Sequence, residues 1–271
     1  MISIADVPVP DIVRRLADYA AARGEAAASR ALAVDLEPWL WGGSLEDSLL
    51  DEPGAPLELL PLARRSEVYV GLVLYAEGPE PVAATWAGSD EEACWLADDA
   101  QGALETLLAV AVRDASLHLA TGEPRDVVVG RAREDAGDLA TALGLSLARD
   151  VSRIDDGLRS DVSLQPEPPP GWRFEPCNDG IGVLAPLSAF DDDLAPESLT
   201  FDLGAELDRA SGLLSRGFAA SSLAVSRNAA HATVHTPDHL TPIRHMRAAY
   251  AALGRDWLAR RADRYLARHG G

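Results

Sequence analysis

Residues 57–113 read LELLPLARRSEVYVGLVLYAEGPEPVAATWAGSDEEACWLADDAQGALETLLAVAVR. Short apolar runs alternate with Gly/Pro turns and then give way to one long amphipathic segment. Runs rich in β-branched and aromatic residues, bounded by turn residues, specify strands. The stretch predicts a small antiparallel sheet closed by a helix. Residues 67–75 and 81–86 form its strands, with Gly78 and Pro79 between them, and residues 93–96 add a short third strand. Asp98 and Asp99 supply an N-cap. The helix they start runs to about His118, and Ala103, Leu107, Leu108, Val110 and Val112 face the sheet.

Before this block, Ile12, Leu16 and Tyr19 recur at helical spacing, Pro10 suits a first turn and Gly24 a stop, which predicts a helix over 10–23. Ala-rich residues 25–35 extend helical structure. Pro38-Trp39-Leu40-Trp41-Gly42-Gly43 forms a compact aromatic turn that plugs the end of a core. After the block, residues 125–131 (RDVVVGR) read as a strand, and 135–143 as a short helix stopped by Gly144. The run QPEPPPGW at 165–172 is a linker, because consecutive prolines cannot occupy a helix interior or a central strand. The expected organisation is an acidic α+β domain over 1–164, the linker 165–172, and a second α+β domain over 173–271. In the second, residues 172–174, 182–187 and 218–226 read as strands. Residues 201–216 and 242–268 read as helices, the last divided by Gly254. The fold class is α+β, with small antiparallel sheets packed by helices.

Charge narrows the function. All 24 basic residues are Arg, against 43 acidic ones, for a net charge of −19. The usage is that of a GC-rich genome of the actinobacterial kind. Nucleic-acid binding needs clustered cations for phosphate, so this balance argues against it and against adhesion to anionic membranes. It suits solubility, or steering toward a basic partner. The charge is uneven: residues 243–271 carry seven Arg against Asp256 and Asp263, net +5, which leaves −24 for residues 1–242. The start MISIADVPVP lacks the features of a signal peptide. No apolar run of about 18 residues marks a membrane span. Cys94 and Cys177 are too few for a disulfide framework. A reduced, cytoplasmic protein is expected.

Chemistry-bearing constellations are few. His231, His235, His239 and His245 lie close together, and His231, His235 and His239 form a speculative metal set, since three imidazoles and an open position make a catalytic zinc site. Pro237 breaks any helix that would align His239, and a polar loop explains the same residues. Asp191-Asp192-Asp193 lacks the spacing of a calcium loop. No nucleophile elbow, P-loop or dinucleotide fingerprint occurs. No catalytic residue and no cofactor is assigned. The five carboxylates Asp90, Glu91, Glu92, Asp98 and Asp99 gather at a strand end and a helix start, where several face solvent together.

Leu60-Pro61-Leu62-Ala63 entering a strand, then residues 69–75, then Pro81-Val82 opening the next strand, then Cys94-Trp95-Leu96 leading into a closing helix over 99–112: this series resembles the second half of a SUKH-type domain. That is the fold of many bacterial immunity proteins. The resemblance covers residues 59–112 only. Trp39-Leu40-Trp41-Gly42-Gly43 stands where the family's front half differs, and the last hundred residues lie outside it. It implies a non-enzymatic protein that binds and neutralises a toxin, a basic one given this acidic body. Three functions follow: an acidic protein-binding module of the immunity kind, a small-molecule enzyme or binding protein with its pocket between the two halves, or a structural subunit using the Arg-rich last helix. The sequence favours binding over chemistry.

Overall fold

A computed structural model describes residues 9–43, 52–75, 82–88, 92–117, 124–155, 158, 166–192 and 202–270. It is a mixed α+β structure, with small antiparallel sheets packed by helices. Two helices open it, α1 (Asp11–Arg23) and α2 (Glu25–Leu32), parted by Gly24. A five-stranded meander follows in the order β1 (Asp35–Leu36), β2 (Leu59–Arg65), β3 (Val68–Val73), β4 (Val82–Trp86) and β5 (Cys94–Ala97), with every pairing antiparallel. Then come helices α3 (Ala100–Leu117) and α4 (Arg125–Leu143). A two-stranded ribbon, β6 (Trp172–Glu175) and β7 (Val183–Pro186), precedes α5 (Leu203–Ser215), α6 (Ala219–Ala232), α7 (Leu240–Ala252) and α8 (Asp256–His269).

β3, β4 and β5 are where the apolar runs placed them, and β1 and β2 extend the sheet by two strands that the runs did not mark. Pro61, which has no N–H for the ladder, sits where the β2–β3 register shifts and faces Gly71. A Cβ on Gly71 would come within 2.5 Å of the Leu60 carbonyl, so the close approach needs glycine. Both sheet faces are covered. Leu60, Leu62, Val70, Leu72 and Ala83 join a core with Leu104, Leu107 and Leu108 of α3. Leu59, Val73, Tyr75, Ala84, Trp86 and Trp95 join a second cluster with Ile181 and Leu184 of the ribbon. Two buried faces explain why β4 is buried at every residue and shows no alternation. The aromatic turn is a 3-10 helix over Pro38–Trp41. Trp39 is buried and donates its indole N–H to the Pro61 carbonyl at 2.8 Å, while Trp41 is exposed.

Two expected strands are helices. Residues 125–131 form the first half of α4, which continues to Leu143. Val127, Val128 and Val129 favour strands, but propensity is a weak prior. The spacing of Ala136, Leu139, Ala140 and Leu143, all buried, fixes the helical period for the whole segment. Residues 218–226 lie in α6, which is buried nearly all round and so shows no amphipathic period. The last helix divides at Gly254, at φ 71°, as its glycine indicated. Gln165 falls outside the described residues. On either side of 166–172, side chains share both larger clusters: Leu57 and Leu60 with Tyr250 and Leu258, and Val73 and Trp86 with Ile181. Among the described residues, no helix is long and apolar enough to cross a membrane.

Candidate functional site

The greatest concentration of buried charge lies where β2, the ribbon and the last three helices meet. Glu58 precedes β2, Arg227 sits in the last turns of α6, and Asp179 lies in the β6–β7 turn. The Arg227 guanidinium is 1% exposed and bridges the two carboxylates, Nη1 to Glu58 and Nη2 to Asp179. The Tyr250 hydroxyl of α7 donates to the same Glu58 oxygen. Arg255, between α7 and α8, donates to the Leu184 carbonyl, and Arg261 of α8 donates to the carbonyls of Leu57 and Leu59. The Tyr75 hydroxyl donates to the Ile181 carbonyl at 2.8 Å.

Backbone geometry sets Asp179 in place. Its Oδ1 accepts the N–H groups of Ile181 and Gly182 at 3.1 and 3.4 Å, and its carbonyl accepts from Ala93 at 2.9 Å. Gly180 has φ 78°, and a Cβ there would lie 2.0 Å from the Ala93 carbonyl. Only glycine lets the ribbon turn rest on the entry to β5.

Burial governs the protonation states. Burial opposes the charge of Arg227, but the Asp179 and Glu58 carboxylates outweigh it and hold the guanidinium firmly protonated. Burial, joined by the Glu58 carboxylate, pushes Tyr75 and Tyr250 well above the usual phenol range against the opposing pull of Arg227. It pushes the Cys177 thiol up as well, so the sulfur stays S–H at neutral pH; its contacts are the carbonyls of Glu175 and Ala224. A protonated thiol is a poor nucleophile. Burial lowers Arg255.

A cleft borders this cluster. Asp179, Arg227, His231, His239 and Tyr265 line it, with Pro56, Ile243 and Met246 as apolar walls. Its interior of about 30 Å³ has room for water. Small-molecule pockets are roughly ten times larger or more. Arg227, already paired with two carboxylates, has no charge to spare for an anion. The arrangement fastens sheet, ribbon and helices together.

The sequence candidates fall elsewhere. His239 uses both ring nitrogens, Nδ1 on the Ala230 carbonyl and Nε2 on the Tyr265 hydroxyl, each at 3.1 Å. His231 borders the same cleft, but among the described residues no group of three His, Cys, Asp or Glu is placed to hold a metal. Asp191 pairs with Arg216 at 2.7 Å, Asp192 is exposed, and Asp193 lies outside the described residues. Ser221 and Ser222 are buried, and both hydroxyls bond to backbone groups. Ser211 stands 3.5 Å from His245 Nδ1, a juxtaposition the sequence did not suggest. Its hydroxyl donates to Leu207 in its own helix, so the imidazole takes no proton from it.

Of the five partner-facing carboxylates, Asp90 and Glu91 lie outside the described residues. Glu92, Asp98 and Asp99 are exposed at the two ends of β5, and Asp99 also caps α3, accepting from the Gly102 N–H at 2.6 Å. Sequence reasoning missed Glu58, Asp179, Arg227, Tyr250, Arg255 and Arg261. The available signal was a lone charge inside an apolar run: Glu58 in LELLPLA and Arg227 after SSLAVS. Such a charge is buried only with a partner. The chain matches none of the protein families and none of the curated proteins with which it was compared.

Proposed function

We propose that this chain is a non-catalytic, acidic protein-binding module of the immunity kind, and that its partner is a basic protein. The observation that carries the reading is the exposure of Glu92, Asp98 and Asp99 at both ends of β5, on a chain of net charge −19. Complementary charge of this kind accelerates encounter more than it tightens the complex. The small-molecule reading has less to rest on, since the interior of the cleft lined by Pro56, Asp179 and Arg227 is about 30 Å³.

The test begins with mass spectrometry of proteins that co-purify from the native host. With the partner in hand, Glu91 and Glu92 are reversed to Arg together, sparing Asp98 and the cap at Asp99. Association should slow, with little change in dissociation. The difference should shrink between about 0.1 M and 1 M salt as the Debye length falls from ~10 Å to ~3 Å. Association rates equal to wild type at both salt concentrations would reduce the acidic surface to a solubility feature.

A further inference from the structure

Four of the six histidines of the chain gather around the docking site of its last helix. His239, at the start of α7, is 7% exposed and packs edge-on against the Tyr265 ring of α8, with ring centroids 6.0 Å apart. His269, one turn beyond Tyr265, packs against the same ring, with centroids 4.5 Å apart. His231 of α6 borders the same cleft as His239 and Tyr265. His235, in the connection between α6 and α7, is close enough to act on the charge of His239.

The hydrogen bonds fix the tautomer. A backbone carbonyl only accepts, so Nδ1 of His239 carries the proton that meets Ala230. Nε2 is then the bare nitrogen, and it accepts the Tyr265 O–H. Protonating Nε2 makes it a donor, so the Tyr265 O–H must rotate and its oxygen accept instead, and an imidazolium is left buried against the last helix.

We propose that His239 is a pH-sensitive latch that holds the end of α8 to the body and releases it on mild acidification. The groups facing it decide the direction. From α6 come Arg227 and His231, from the α6–α7 connection His235 and the exposed Asp238, and from α8 Tyr265 and His269. The β6–β7 turn contributes Asp179, and Glu58 lies behind. His269 and His235 oppose an imidazolium, and the two buried carboxylates are committed to Arg227. Burial, joined by His269 and His235, lowers His239 below the usual histidine range against the opposing bond from Ala230. The neutral form is therefore the folded form. Stability is complete above the unfolded value of about 6.5 and is lost as pH falls through the lower folded value. The segment freed is the end of α8 beyond Arg261, whose own side chain stays bonded to Leu57 and Leu59. That segment carries Arg264 and Arg268.

The experiment is amide exchange on the full chain at pH 7.5 and 5.5, expressed as protection factors so that intrinsic rates cancel. Amides of residues 262–269 should lose up to about tenfold in protection at pH 5.5, one unit below the unfolded value of about 6.5, and those of 219–226 should not. His239→Gln keeps an N–H for Ala230 and an oxygen for Tyr265 but does not titrate, so its α8 protection should be flat over the same range. An equal acid loss in His239→Gln would overturn the latch. So would a loss in wild type spread evenly over α5 to α8, which would place the titration elsewhere, His245 included. If His239→Gln folds poorly, the imidazole resonances of wild type decide: a His239 that titrates at or above the ordinary value refutes the proposal.

Discussion

Helices α4 and α6 open on the same kind of signal and end in opposite surroundings. Each begins with a short apolar run, VVV in one and AASSLAV in the other, that reads as a strand. In α4 the run is half-open, with Val127 45% exposed and Val128 and Val129 half-buried, and full burial is confined to Ala136, Leu139, Ala140 and Leu143 near the other end. In α6 burial is nearly complete, and it takes in Ser221, Ser222, Ser226 and Arg227 with the alanines. The first half of α4 is helical because its second half is anchored. α6 is helical because α5 and α7 pack on it and its polar groups find partners, Ser222 at Ala210 of α5, Ser221 at the Asp191 N–H, and Arg227 at Glu58 and Asp179. A short apolar run thus reports hydrophobicity and leaves the period open; long-range packing supplies the period.

The comparison breaks hardest at Arg227. Arg227→Ala should cost about 3–5 kcal/mol in chemical denaturation, because it strands Glu58 and Asp179 away from water. Arg133→Ala, on the exposed flank of α4, should stay within about 0.5 kcal/mol. A cost below about 1 kcal/mol at Arg227 would mean that the buried ion cluster fastens nothing and that packing alone sustains α6.

What the sequence disclosed follows the same division. Strands β3 to β5 were legible because strand residues and Gly/Pro turns alternate over a short span and pair with their sequence neighbours; β1, two residues long and paired with Ala63 and Arg64, was not. The break at Gly254 was legible because it needs only one residue's conformational freedom. The ion cluster was not, since Glu58 and Arg227 are 169 positions apart and nothing local announces the bond. Nor was the second cover of the sheet, because Ile181 and Leu184 reach Trp86 and Trp95 from beyond the proline run. The exposed carboxylates at β5 were found by charge density, which the chain shows directly. The histidine group was seen as a spacing, but its purpose rests on Tyr265, which no spacing includes.

A milder probe within α6 is Ser222→Ala. Its buried hydroxyl donates to the Ala210 carbonyl of α5 at 2.8 Å. The carbonyl sits inside a helix, and the replacement is nearly isosteric, so the loss should be about 1 kcal/mol by denaturant midpoint. No loss at all would show that small size, rather than hydrogen bonding, is what α6 needs at its contact with α5.

The smallest effect, and the one of opposite sign, belongs to α4. Gly130 lies on its exposed half, and a Cβ added there meets nothing within 4 Å. Glycine in a helix interior costs roughly 0.5–1 kcal/mol relative to alanine, through backbone entropy. Gly130→Ala should therefore stabilise the protein by up to that amount, and it should raise amide protection over 125–134 more than over 136–143. The split matters because the second half is already held by burial, while the first half depends on propensity. If the substitution raises overall stability but leaves exchange in the first half unchanged, the two halves open together and α4 is one cooperative unit. If it destabilises, the first half is not held as an exposed helix, and the contrast with α6 fails at its weaker end.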